Sequence, residues 1–219
     1  TQFATPVGQA YVTRAMADHG EDAVAGMAIV GRLVPVAFGV IFALSGAIGP
    51  IVGQNFGARQ HDRVRAALRD GLVFVGVVVV LVSALLYLLR APIADLFGAE
   101  GMTRSLVFLF CGPLALAWYF NGVIFVANAA FNNLGHPFYS TWVNWGRHTL
   151  GTIPFVIAGG AIWGAPGVLI GQAFGGVVAA GIALALAARV TRRAAEVAAE
   201  RPHPYQREAR QMLLFNLRR

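Results

Sequence analysis

Apolar residues run along this chain in blocks too long for strands or amphipathic helices, and short polar clusters separate the blocks. Between Asp70 and Arg90 lie nineteen residues without Asp, Glu, Lys or Arg, centred on the run Val77–Val82. With Ala66–Asp70 as a first turn they predict a helix over 66–89. At 1.5 Å rise per residue, about 20 such residues cross roughly 30 Å of hydrocarbon. Leu33–Ala58 is also free of these charges and the apolar pattern reaches back to Ala23, predicting a span over 23–49 with Arg32 inside it. Ser105–Gly146 is uncharged in the same sense for forty-two residues, too long for one helix. The break Asn132-Asn133-Leu134-Gly135-His136-Pro137 divides it into a span over 105–130 and another starting near 139. A further stretch, His148–Ala188, breaks at Gly159-Gly160 and at Gly164–Gly167, where Pro166 suits the first turn of a last helix. The spans are then 139–159 and 166–189. With an amino-terminal stub over 3–17, the expectation is an all-α, polytopic transmembrane bundle of five complete helices and part of a sixth, one six-helix lobe.

Composition agrees. Only 12% of residues are charged, about half the usual share of a soluble domain, and helices apolar all round leave little to clothe a watery surface. All seventeen basic residues are Arg, and they gather by connection. Arg59, Arg63, Arg65, Arg69, Arg147 and the eight Arg from 189 onward place thirteen on one side against five acids, whereas Arg14, Arg90 and Arg104 face five acids on the other. The Arg-rich side is expected to be cytoplasmic, in a cell membrane such as a bacterial inner membrane, with the carboxyl terminus inside. That alternation follows membrane sidedness and not the single basic surface that nucleic acid requires. The chain opens on Thr1 with half a hydrophobic segment and no signal-peptide layout, so it reads as the carboxyl-terminal part of a longer protein. The expected division is a transmembrane lobe over 1–190 and a basic cytoplasmic tail over 191–219. In that tail, Met212, Leu213, Leu214, Phe215 and Leu217 lie among Arg, a pattern suited to the anionic inner leaflet.

Within the spans a few residues carry candidate chemistry. Gly167, Gly171, Gly175, Ala179, Ala183 and Ala187 recur every four residues, a smooth stripe that lets a neighbouring helix approach closely. Pro35, Pro113 and Pro154 fall inside three spans, where each removes a donor and bends its helix; bent helices in membrane proteins tend to line cavities. Arg32 is costly in lipid and is expected to face the bundle or snorkel. Asn121, Asn128 and Gln172 are amides in apolar helices, either ligand-facing or bonded between helices. Phe38, Phe42, Trp118 and Phe125, with Tyr11 and Tyr119, form a candidate aromatic wall for an organic cation or simply fill core. Trp142 and Trp145 suit the headgroup level. A lone Cys111, no carboxylate in the centre of any span and no nucleophile–base pair leave no expected catalytic residue, metal site or enzyme activity.

The stretch Ala43–Ala58, ending Gly53-Gln54-Asn55-Phe56-Gly57-Ala58 and followed by the Arg-rich loop, resembles the signature of the multidrug and toxic compound extrusion (MATE) transporters at the end of the second helix of each lobe. The six-segment order, the polar turn 132–137 and Pro154 extend the resemblance over about residues 1–190. It implies two pseudo-symmetric six-helix lobes, this being the carboxyl-terminal one, around a central cavity. The implied activity is alternating-access export of small organic, often cationic, compounds by antiport with Na+ or H+ as coupling ion and no other cofactor. The expected partners are the substrate, the bilayer and an amino-terminal lobe of the same chain. Substrate-cavity candidates are Phe38, Phe42, Trp118, Asn121, Phe125 and Asn128; structural or gating candidates are Arg32, Pro35, Gln54, Asn55, Gly57, Pro154 and Gln172. Where many members carry an acid in the fourth helix of this lobe, this sequence has Asn121, which does not titrate. Coupling would then use a carboxylate of the other lobe. Two alternatives remain: an exporter of lipid-linked or polar metabolites from the same superfamily, marked by a basic cavity, or a membrane module without transport, marked by polar residues all consumed in helix contacts.

Overall fold

A computed structural model describes residues 3–200 and shows only helices there. These are α1 (Ala4–Ala17), α2 (Glu21–Ala37), α3 (Gly39–Gly57), α4 (His61–Leu96), α5 (Gly101–Leu109), a π turn (Phe110–Leu114), α6 (Trp118–Asn133), α7 (Pro137–His148) and α8 (Ile153–Glu200). Of the basic tail expected over 191–219, residues 201–219, with the apolar cluster 212–217, lie outside the described residues.

The solvent of this bundle can be read from α4. Gly71, Val75, Val79, Ser83 and Leu86 are buried along one stripe, while Val73, Val77, Val80, Leu81, Leu85 and Leu88 are exposed. A helix apolar on its outer face as well as its packed one is built for hydrocarbon, not water. Gly39–Gly57, His61–Leu96 and the run Pro137–Val197 are each long and apolar enough to cross a membrane. A fourth crossing forms if α5 with its π turn and α6 count as one broken span. The protein is thus a polytopic membrane protein, one six-helix lobe in which several spans are bent.

Those bends correct several expected boundaries. The span expected over 23–49 is two helices, α2 and α3, joined at Phe38 (φ −108°, ψ 19°), three residues beyond Pro35. The span expected over 105–130 runs through α5, then breaks at Gly112 (φ −93°, ψ −116°) beside Pro113 and bends by 58° into α6. Proline lacks the N–H for the ladder and crowds the preceding turn, which accounts for the break beside Pro113; Pro35 stays inside α2, and the Phe38 N–H still reaches the Val34 carbonyl at 2.9 Å. Gly159-Gly160, expected to end a helix, stay helical; the reversal lies wholly at Gly164, whose φ of 63° needs no Cβ. Pro154 lies in the first turn of α8, just past the irregular residues 149–152, so it begins a helix instead of kinking one. α4 covers 36 residues, about 54 Å, against the expected 66–89. Arg63, Arg65 and Arg69 therefore ride on its projecting first turns, where Asp62 pairs with Arg65 at 3.5 Å. The last helix likewise continues past 189 to Glu200, helped by an Arg192–Glu196 pair one turn apart at 3.9 Å.

The glycine ladder meets its neighbour within α8 itself. A Cβ on Gly167 would strike the Gly159 carbonyl, one on Gly171 that of Phe155, and one on Gly175 that of Gly151. Each step forward by four on the second arm (165–200) is a step back by four on the first (153–163 and the turn before it), so the arms form a tight antiparallel hairpin. Ala179, Ala183 and Ala187 continue the stripe into the main core. At its centre stands α6, packed on α3, α4, α7 and α8. A smaller core joins Val12, Met16, Met27 and Leu106 to Val156 and Val168.

Candidate functional site

The polar turn 134–136 makes α6 and α7 antiparallel, so residues equally far from it lie at the same height. Ser140 Oγ donates to Asn128 Oδ1 at 2.8 Å. Deeper, the Arg147 guanidinium donates to Asn121 Oδ1. Asn121 stands twelve residues before the end of α6 and Arg147 ten after the start of α7, each about 15 to 18 Å of helix from the turn. Arg147, expected on the basic side, therefore sits in the last turn of α7, at the end away from the polar turn, and its side chain reaches α6. The reason is that α7 begins at Pro137, with three turns of helix below Arg147.

Trp118, Asn121, Phe125 and Asn128 follow one another at three and four residues along α6, and all four are half-buried. Phe38, fully buried at the α2–α3 bend, stacks on Trp118 with ring centroids 4.9 Å apart and planes 11° from parallel. Phe42, one turn on, meets Trp118 edge-on at 5.8 Å and Phe125 at 5.5 Å. The bend at Phe38 thus brings four of the six expected aromatics into one wall, with Phe42 43% exposed at its front and Asn121 between Trp118 and Phe125. The other two lie elsewhere. Tyr119 turns to Phe120 and faces Gly76 of α4, and Tyr11 packs in the smaller core.

The remaining candidates are placed as follows. Arg32 is exposed and has no ion pair or hydrogen bond among the described residues; of the two expected placements, facing the bundle or snorkelling, it does not take the first. Ala23, Gly26, Met27 and Val30 form the buried face of α2, and Arg32 falls opposite them at helical spacing. Pro35 and Val36 share its exposed side. Gln54 is exposed, Asn55 Nδ2 donates to the Ile51 carbonyl at 2.8 Å, and the Asn55 carbonyl accepts from Gln60 N–H at 2.8 Å. The chain leaves α3 through Arg59, whose φ is 58°, and not through Gly57, which ends the helix. Gly53 instead serves contact, because a Cβ there would lie 2.7 Å from Asn133 Oδ1. This seats the 53–58 stretch against the polar turn at the end of α6. Gln172 is half-buried beside the hairpin stripe. Trp142 is 74% exposed and Trp145 38%.

Three participants lie outside the expected set: Arg147, Ser140 and His148, whose Nε2 lies 3.3 Å from Thr5 Oγ1 of α1. The chain does carry a signal for the first two, because counting outward from the Asn132–Pro137 turn matches Asn121 with Arg147 and Asn128 with Ser140. Chemically the site offers a ring surface, an amide and a guanidinium on one half-open face. Asn128 is already engaged between helices, which leaves Asn121, with Arg147 upon it, as the amide nearest the wall.

The MatE family matches residues 1–157. An uncharacterized 21 kDa protein from the iaaL 5′ region of Pseudomonas savastanoi is 40% identical over 190 residues, covering 81% of this chain and 59% of its own. A protein named FAD transporter from Shewanella oneidensis is 28% identical over 165 residues, 75% of this chain and 36% of its own. In fold, the chain matches the crystal structure of the Vibrio cholerae MATE transporter VcmN in the bent form with a TM-score of 0.82 at 22% identity, over 88% of this chain and 44% of that one. This chain spans less than two thirds of the length of each.

Proposed function

The chain belongs to the MatE family of MATE transporters, which are membrane carriers and not enzymes, and from that premise we propose that it is the carboxyl-terminal lobe of a two-lobe secondary transporter for small organic compounds. The observation that carries the reading is the half-open wall of Phe38, Trp118, Phe42 and Phe125 around Asn121. Stacked and edge-on rings offer a broad apolar surface of the kind that takes flat organic molecules, and the α2–α3 bend at Phe38 that assembles them is a natural place for a carrier to flex. On α2, Arg32 and Val36 share one exposed face, suited to contact with a second lobe. Substrate is exported between inward-open and outward-open states as the lobes rock. The Arg-rich ends of α4 and α8 lie in the cytoplasm.

Export is driven by antiport with Na+ or H+. No carboxylate lies in the central part of any span, and Asp62, Asp70, Asp95 and Glu196 are each paired with an Arg, which supports a coupling acid in the amino-terminal lobe. The test is uptake and efflux by the full-length protein in proteoliposomes under imposed sodium and pH gradients. Gradient-driven movement of a flat aromatic compound, lost on Trp118→Ala, is expected; absence of movement under either gradient refutes it.

A second reading, export of a polar metabolite, is favoured by Arg147, because a guanidinium beside the wall disfavours cations. It accords with the name of the FAD transporter relative.

A further inference from the structure

Arg147 lies about 15 Å along α7 from the polar turn 134–136, in the helix's last turn just before the irregular residues 149–152, half-buried, with its guanidinium on Asn121 Oδ1. A guanidinium presents five donors in a planar fork, and one amide oxygen satisfies only part of it. Asn121 supplies a dipole and no negative charge. The ion pairs among the described residues join Asp62 to Arg65, Asp70 to Arg69, Asp95 to Arg104 and Glu196 to Arg192, so Arg147 has no carboxylate partner among them. A half-buried charge inside a membrane-embedded bundle is costly, and where it occurs in membrane proteins it marks a pathway or a ligand. One helical turn to either side of Asn121 stand Trp118 and Phe125, with Phe42 exposed between them.

We propose that Arg147 anchors the acidic group, a phosphate or carboxylate, of a flat aromatic substrate whose rings lie against Trp118, Phe42 and Phe125. The planar fork suits two-oxygen recognition of such a group, and Asn121 is a positioning residue that holds the fork toward the wall. The proposal rests on reading the lobe as half of a small-molecule carrier and specifies the chemistry of its cargo.

The test uses the full-length protein in phosphatidylcholine nanodiscs with two probes, riboflavin and flavin mononucleotide, which share a ring system and differ by one phosphate. Wild type is expected to bind the mononucleotide at least about tenfold more tightly, with inorganic pyrophosphate competing against it and not against riboflavin. Arg147→Gln should bring the mononucleotide down to the riboflavin affinity and leave riboflavin unchanged, and Arg147→Lys should keep part of the difference. Displacement of the mononucleotide by phosphatidylglycerol in wild type alone would assign the anion to a lipid headgroup; lack of displacement assigns it to a soluble substrate. Either result retains the anchor. Equal or absent mononucleotide binding in wild type, which needs no variant to fold, or a preference surviving Arg147→Gln, overturns it. The carrier reading is judged apart, since gradient-driven riboflavin movement survives a failed anchor and its loss with every compound does not.

Discussion

Replacing Gly171 or Gly175 with Ala tests whether the α8 hairpin is held by backbone contact. An added Cβ at Gly171 lands on the Phe155 carbonyl and at Gly175 on that of Gly151, and neither backbone atom can rotate away. Restoring an ordinary carbon–oxygen contact of about 3.3 Å moves the arms apart by about 1 Å or more. A gap of that size forfeits a quarter to a half of each van der Waals contact, and a contact is worth about 0.1–0.2 kcal/mol. With on the order of 20 atom pairs along the arms, about 1 kcal/mol is lost. Overpacking strain adds about 1–3 kcal/mol, so each variant should lose about 2–4 kcal/mol. Gly181, on the same arm, has nothing within 4 Å of its added Cβ and is exposed. Gly181→Ala should be neutral or gain a few tenths of a kcal/mol from helix propensity. Thermal unfolding of the full-length protein in detergent, followed by size-exclusion of the surviving fraction, measures all three. If Gly171→Ala and Gly175→Ala melt with Gly181→Ala, the arms are not packed through their backbones and the reasoning fails.

Phe38→Ala empties a fully buried site under Trp118 and should cost about 3–5 kcal/mol, seen as a lower melting temperature; Phe42→Ala, with its ring 43% exposed, should cost far less yet impair transport as much. Asn128→Ala and Ser140→Ala should show a coupling of about 1 kcal/mol in a double-mutant cycle, and a coupling near zero would remove the α6–α7 rung at that height. Asn121→Asp sets a carboxylate against Arg147, so the expected outcome is a neutral internal pair that weakens binding of acidic substrates while leaving the ion dependence of transport as in wild type. Transport assays under sodium and pH gradients check it, and a changed ion dependence would show that the new acid titrates. Cysteine labelling at Arg63 and Arg192 from the cytoplasmic side should modify both positions, since both Arg-rich helix ends are assigned there; opposite accessibility would break the topology.

Much of this protein was legible in one dimension because lipid imposes its own pattern. Long uncharged runs require helices, since no water is present to satisfy the backbone. The run around 77–82 lies within one helix, the run expected over 105–130 is helical on either side of its break at Gly112, and the small-residue stripe announced a close neighbour. The four-residue spacing of that stripe is a local property, and so is the family signature around Gln54. What escaped was every feature that depends on where two segments meet. Composition could not say that Gly167, Gly171 and Gly175 face the chain just before them, because the turn at Gly164 alone decides that register. Pro35 warned of a bend, yet only the packed helices set Phe38 flat upon Trp118 and carried Tyr11 and Tyr119 elsewhere. Arg147 looked like a boundary charge in a count along the chain. It became a half-buried guanidinium because α7 folds back on α6, which brings its fork to Asn121. Hydropathy is a property of each residue and its near neighbours, whereas the partner of a buried charge is chosen by helices that cross far apart in sequence.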